Sequence, residues 1–102
     1  MPRPTRTVTV DADLEWEVRP TSTPGRLSVS CDGLGIRVEA HDEAEIPGLI
    51  DESVDMLMRD LHEDGELASY LSERGLRASR IPVRTARNVS FVCPWHLVRA
   101  AA

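Results

Sequence analysis

Ile36-Arg37-Val38-Glu39-Ala40-His41-Asp42-Glu43-Ala44-Glu45-Ile46-Pro47-Gly48-Leu49-Ile50 holds the point at which the hydrophobic period of this chain changes. Through Ile36, Val38 and Ala40, apolar residues alternate with Arg37 and Glu39, the period-two pattern of a half-buried strand. From Ile46 the spacing becomes three and four. Ile46, Leu49, Ile50, Val54, Leu57 and Leu61 fall on one helical stripe, with Asp51, Glu52, Asp55, Arg59 and Asp60 on the other side. Between the two patterns, Asp42 is placed to cap a helix and Glu45, three residues on, to complete a capping box. Acids in the first turn also suit the positive end of the helix dipole. Pro47 is tolerated only in a first turn, so the regular helix is expected nearer Glu45 than Asp42, running from about residue 44 to 63.

Backward from that point the chain reads as strands. Leu27-Ser28-Val29-Ser30-Cys31 alternates with Leu27, Val29 and Cys31 inward, and Asp32-Gly33-Leu34-Gly35 loops to the next run. Leu14-Glu15-Trp16-Glu17-Val18 puts Leu14, Trp16 and Val18 on one face, and Thr7-Val8-Thr9-Val10 alternates again. The Pro20 to Gly25 cluster is turn chemistry. Connections this short predict an antiparallel meander. Forward from the long helix, Gly65 breaks the chain, and a shorter helix is expected from Glu66 to Arg74 with Leu67, Tyr70 and Leu71 inward. Gly75 follows as its C-terminal glycine. Ile81-Pro82-Val83, Val89 to Val92 and Pro94 to Val98 read as extended, although Pro82 argues against a central strand there. The predicted class is α+β: three or four antiparallel strands packed by one long and one short helix. Residues 1–76 form the domain. Residues 77–102 form an arginine-bearing arm, either part of the same fold or a strand exchanged between protomers.

A chain of 102 residues makes one domain. Trp16, Tyr70, Phe91 and Trp95 are the only aromatics apart from histidine, so the core must rest on Val, Leu, Ile and Met. No apolar run approaches the roughly 18 residues that span a bilayer, and the first residues lack the apolar stretch of a secretory signal. Cys31 and Cys93 are too few and too far apart for a disulfide framework, so a reducing, cytoplasmic location is expected. The net charge of −5 conceals an asymmetry. Between Glu39 and Glu66 there are eleven acids and one arginine, Arg59; after Glu73 there are six arginines and no acid. A basic arm of this kind contacts an acidic partner or nucleic acid, or folds back on an acidic helix of its own chain or of a dimer mate. For the nucleic-acid reading the residues are Arg80, Arg84 and Arg87.

Little in the sequence points to chemistry. His41, His62 and His96 stand in three separate segments, and none pairs with a Cys, His or carboxylate at a metal-ligand spacing. His62 suits the negative end of the long helix. Asp51 and Asp55 are four apart, as are Asp55 and Arg59, an arrangement of ordinary helix-surface pairs. General acid–base work needs carboxylates in a pocket with their pKa values pushed apart, and a helix stripe offers none. Cys31, at an inward strand position, reads as core; Cys93, before Pro94, reads as open to solvent. Gly33 and Gly35 are turn glycines with no helix start behind them, so no phosphate cradle is expected. Neither a helix-turn-helix nor a zinc finger is recognisable. The expected class is a binding protein without catalytic residues, metal or cofactor.

The run from Val29 through Cys31-Asp32-Gly33-Leu34-Gly35 to Asp42-Glu43-Ala44-Glu45-Ile46 resembles the segment that marks HicB-like antitoxins. Members show a strand, a short loop, a second strand and an acidic helix start that leads into a long amphipathic helix. The resemblance covers roughly residues 14–75. In this chain the loop lacks the family's prolines, and Pro47-Gly48 stands where relatives have good helix formers. The resemblance implies a β-β-β-α, partial RNase-H-like layer, homodimeric or higher, that covers the active site of a small basic HicA-like ribonuclease toxin. Asp51, Asp55 and Asp60 would complement that partner, with Phe91 and Trp95 as interface anchors. The alternatives are an adaptor for a protein other than a toxin, and the nucleic-acid-binding arm. Autoregulation through DNA is not expected, since the arm is too short for a helix-turn-helix.

Overall fold

The alternating runs become strands in a computed structural model that describes residues 6–78, 80–82 and 88–100. They are β1 (Arg6–Asp11), β2 (Leu14–Pro20), β3 (Leu27–Cys31) and β4 (Ile36–Ala40). Trp16, Val18, Val29, Cys31 and Ala40 are buried, as the alternation requires. The turn between β2 and β3 takes Gly25 to φ 84°, a conformation that disfavours any side chain. β2, β3 and β4 run antiparallel, with Val18, Val29 and Val38 in one row across them.

The meander therefore has three strands, and β1 stands outside it. Only Ala12 and Asp13 separate β1 from β2, and the chain carries on in the same direction instead of reversing. Its partners come from the other end of the sequence. β1 pairs antiparallel with β5 (Arg77–Ala78) and parallel with β6 (Val89–Val92). β2 pairs parallel with β7 (Trp95–Arg99). Thr9 lies opposite Val92 and Leu14 opposite Trp95, so on that side four residues, 10–13, stand against two, 93 and 94. The longer strand bulges there, and the Pro94 carbonyl accepts from the Leu14 amide at 3.0 Å. The result is two mixed sheets, ordered β5-β1-β6 and β4-β3-β2-β7, where one antiparallel sheet was expected. Turn lengths do not reveal parallel pairing between segments so distant in sequence.

The C-terminal segment is thus built into both sheets of its own chain. Phe91 and Val89 are core residues, Trp95 is half-buried, and Ile81 is exposed. Val83 lies outside the described residues.

Asp42 caps as expected. Its Oδ1 accepts from the Glu45 amide at 3.0 Å, and Glu45 Oε2 accepts from the His41 amide at 2.9 Å. The box opens a single 3-10 turn, Glu43–Glu45, before α1 (Ile46–Glu63), whose first turn holds Pro47. The buried stripe of α1 is Ile46, Ile50, Val54, Met58 and His62. Leu49, Leu57 and Leu61 are only half-buried, so the core-facing stripe is narrower than predicted and follows a strict spacing of four. A row at that spacing slants across the helix surface, which carries the contact line from one side of α1 to the other. α2 (Leu67–Glu73) buries Leu67 and Leu71, and Gly75 closes it at φ 68°. The Leu76 amide reaches back to the Leu71 carbonyl, as in a Schellman cap.

Candidate functional site

The acidic side of α1 divides into two parts. One flank turns to the C-terminal strands. Asp55 Oδ1 accepts from the Phe91 backbone amide at 2.8 Å, and its Oδ2 meets Arg59 at 3.1 Å. Asp51 Oδ1 accepts from the Trp95 indole N–H, also at 2.8 Å. Nearby, Glu43 pairs with Arg99 at 2.6 Å. The acidic helix and the C-terminal segment thus hold each other within one chain, the fold-back arrangement among those the charge asymmetry allowed. A carboxylate on a strand-edge amide occupies a donor that would otherwise invite another strand.

The other part faces outward. Glu52, Met56, Arg59, Asp60 and Glu63 are exposed along α1, and Met56, 51% exposed, is the most open large apolar side chain among the described residues. Of the residues expected to meet a partner, Asp60 stands on this open surface and Asp51 beside it, tied to Trp95. Asp55 is half-buried and committed to β6. Phe91, expected as an interface anchor, is 2% exposed, with its ring 5.9 Å from that of His62. Trp95 keeps part of its surface open. Arg80 is exposed, with φ 32°, whereas Arg84 and Arg87 lie outside the described residues.

His62 is a core residue. It is 6% exposed and its Nε2 lies 2.9 Å from the Pro82 carbonyl, which anchors the segment before β6. The signal was available, because Ile46, Ile50, Val54 and Met58 continue to His62 at a spacing of four. Nothing in the sequence signalled the part played by Asp55, since its partner is a backbone amide far along the chain.

A second acidic region lies on the opposite, solvated face of the four-stranded sheet. Asp13, Glu15, Glu17 and Asp32 border a shallow hollow floored by Leu14, Ser30, Cys31 and Gly33. His96 on β7 sits beside it, with Nδ1 2.9 Å from Asp13 and Nε2 3.8 Å from Glu15. The hydrogen bond to Asp13 raises the His96 pKa above its ordinary value, with the charges of Asp13 and Glu15 adding to it. Among the described residues no group of three or more His, Cys, Asp or Glu side chains is arranged to hold a metal ion. Cys93, expected to be open, is 3% exposed, and burial pushes its thiol up to about 11; burial raises Cys31 as well. Both cysteines are buried, so neither is exposed as a thiolate.

No helix among the described residues is long and apolar enough to cross a membrane. No family model, curated protein or solved structure matches this chain.

Proposed function

We propose that this chain is a HicB-like antitoxin that binds a small basic HicA-like toxin and covers its RNA-cleaving site. The observation that carries the reading is the open acidic surface of α1, with Glu52 and Asp60 exposed and Asp51 at its border. An RNA-cleaving partner must present cations to phosphate, and carboxylates in a row along one helix complement such a surface. The element order supports the same reading. A three-strand meander leads directly into a long capped helix, and β7 then returns parallel to β2 beside the meander. Met56, exposed among these carboxylates, supplies the apolar contact that a charged patch lacks on its own. Within this reading the chain acts by occlusion and contributes no catalytic group.

The test is co-expression in a bacterium with the gene beside the one that encodes this chain. Growth arrest by the neighbour alone, with rescue and a stable complex when this chain is added, is the expected result. Glu52→Arg with Asp60→Arg should then abolish rescue while leaving the circular dichroism spectrum unchanged. A harmless neighbour that does not co-purify would end the toxin reading. A stable complex without any toxicity would favour the adaptor instead.

A further inference from the structure

The two long edges of the fold are treated differently. Along the C-terminal edge, α1 places Asp55 on the Phe91 amide and Asp51 on the Trp95 indole, and Pro94 interrupts the run. β4 forms the opposite edge of the four-stranded sheet, and among the described residues its only ladder partner is β3. It carries no proline and no bulge, the usual devices that blunt an edge. Its inward residues are under-covered. Ile36 and Val38 are half-exposed, as are Leu49 and Leu57 on the α1 flank opposite Asp51 and Asp55.

We propose that β4 pairs with β4 of a second copy of this chain, antiparallel about a two-fold axis through Val38. In that register Ile36 meets Ala40 of the mate, Val38 meets Val38, and Arg37 meets Glu39 twice, once on each side of the axis. Opposite charges directly across an antiparallel pair stabilise it, and like charges there oppose it. The neighbouring in-face registers fail on this ground. Shifted by two residues one way, Arg37 opposes Arg37; shifted the other way, Glu39 opposes Glu39. A shift of one residue sets Ile36 against Glu39 or His41 and turns one protomer's helix to the wrong face. The charge pattern of the strand is therefore self-complementary in a single register, as an isologous interface requires. The local bonds Arg37 Nε to Ser28 at 2.9 Å and Arg26 to Glu39 at 3.2 Å keep both side chains on the solvated sheet face, where the mate's strand would meet them. Pairing would join the two four-stranded sheets into one eight-stranded sheet with both α1 helices on the same side. The outer surface of α1 stays open, so the inference stands whether or not the partner of that surface is a toxin.

The experiment is sedimentation equilibrium of the full chain across a concentration series, with four proteins. Wild type should reach twice the 11.3 kDa chain mass. Arg37→Glu leaves an all-acidic edge and Glu39→Arg an all-basic one; each alone should raise the dimer dissociation constant at least tenfold. Mixed in equal amounts, the two should pair with each other. The double variant Arg37→Glu with Glu39→Arg restores the self-complementary pattern and should dimerise like wild type. Both positions are exposed, and a circular dichroism spectrum checks that each variant folds. A wild-type chain that stays monomeric at millimolar concentration overturns the proposal, even if some other protein's strand binds β4. So does a dimer indifferent to the two single charge reversals.

Discussion

Asp55 offers the sharpest test of how the C-terminal segment is held. Replacing it with alanine strips the Phe91 amide of its acceptor at 2.8 Å and Arg59 of its partner at 3.1 Å. The Arg59 pair is a helix-surface contact between residues four apart and contributes only about 0.3–0.5 kcal/mol. The amide matters more. It is partly buried beside a buried phenyl ring, and a buried donor left without an acceptor costs about 1–3 kcal/mol. The expected loss is therefore about 2 kcal/mol. For a domain of about 100 residues, ~1 kcal/mol corresponds to about 4–8 °C in Tm, so the fall should be readily visible. Urea unfolding followed by tryptophan fluorescence gives the free energy, and a thermal melt gives the midpoint. Asp55→Asn keeps an acceptor oxygen and should recover most of the loss. Asp60→Ala, on the exposed side of the same helix, should stay within about 0.5 kcal/mol of wild type, as surface changes do. If Asp55→Ala is as mild as Asp60→Ala, the carboxylate does not hold the β6 edge and the account of the acidic flank is wrong.

Three further outcomes follow from the same geometry. Trp95→Phe removes only the indole donor to Asp51 and should cost about 1 kcal/mol in urea unfolding, whereas Trp95→Ala also gives up half-buried ring area and should cost more. His96, measured by NMR titration, should show a pKa above 6.5, and Asp13→Asn should bring it back down. Because the folded value is raised, the stability His96 contributes is complete below the unfolded pKa and is lost as pH rises through the folded one. Cys31 and Cys93 should resist a water-soluble thiol reagent at pH 8 in the native protein and react fully in urea, since both are buried with raised pKa values. Rapid native labelling of Cys93 would place it at the surface.

What the sequence made legible was local. The inward Val29 and Cys31, the Asp42 and Glu45 capping pair and the glycine at 75 depend on near neighbours, and each appears where the pattern placed it, though Leu27 is only half-buried and Ser28 is buried. Periodicity also located α1, though it assigned Leu49, Leu57 and Leu61 a burial that Met58 and His62 take in part. A helical stripe read from sequence has no fixed centre, and the slanted contact of α1 with the sheets decides which flank is covered. The parallel pairings of β1 with β6 and of β2 with β7 left no such trace. No turn joins them, and the side chains of β1 alternate in the same way whichever strand lies beside it. Of the candidate site, the acidic helix was plain from composition. That Asp55 and Asp51 serve the fold, leaving Asp60 and Glu52 to face outward, depends on where the chain end returns.

That return also explains why β5, β6 and β7 belong to the fold as much as the helices do. β1 has two ladder partners, β5 and β6, and both come from this segment. Without it, Val8 and Val10, now almost fully buried, would lie on an isolated strand with no sheet to join. β2 would likewise lose β7, and Asp51 and Asp55 would lose the indole and the amide they bind. Arg99 on β7 meets Glu43 at the start of the helical region because the strand ends there, and an acid in its place would face the carboxylates that start α1. In that pair the basic end of the chain meets its acidic middle. Glu52 and Asp60, exposed on the outer side of α1, are the carboxylates that the proposed antitoxin role would use.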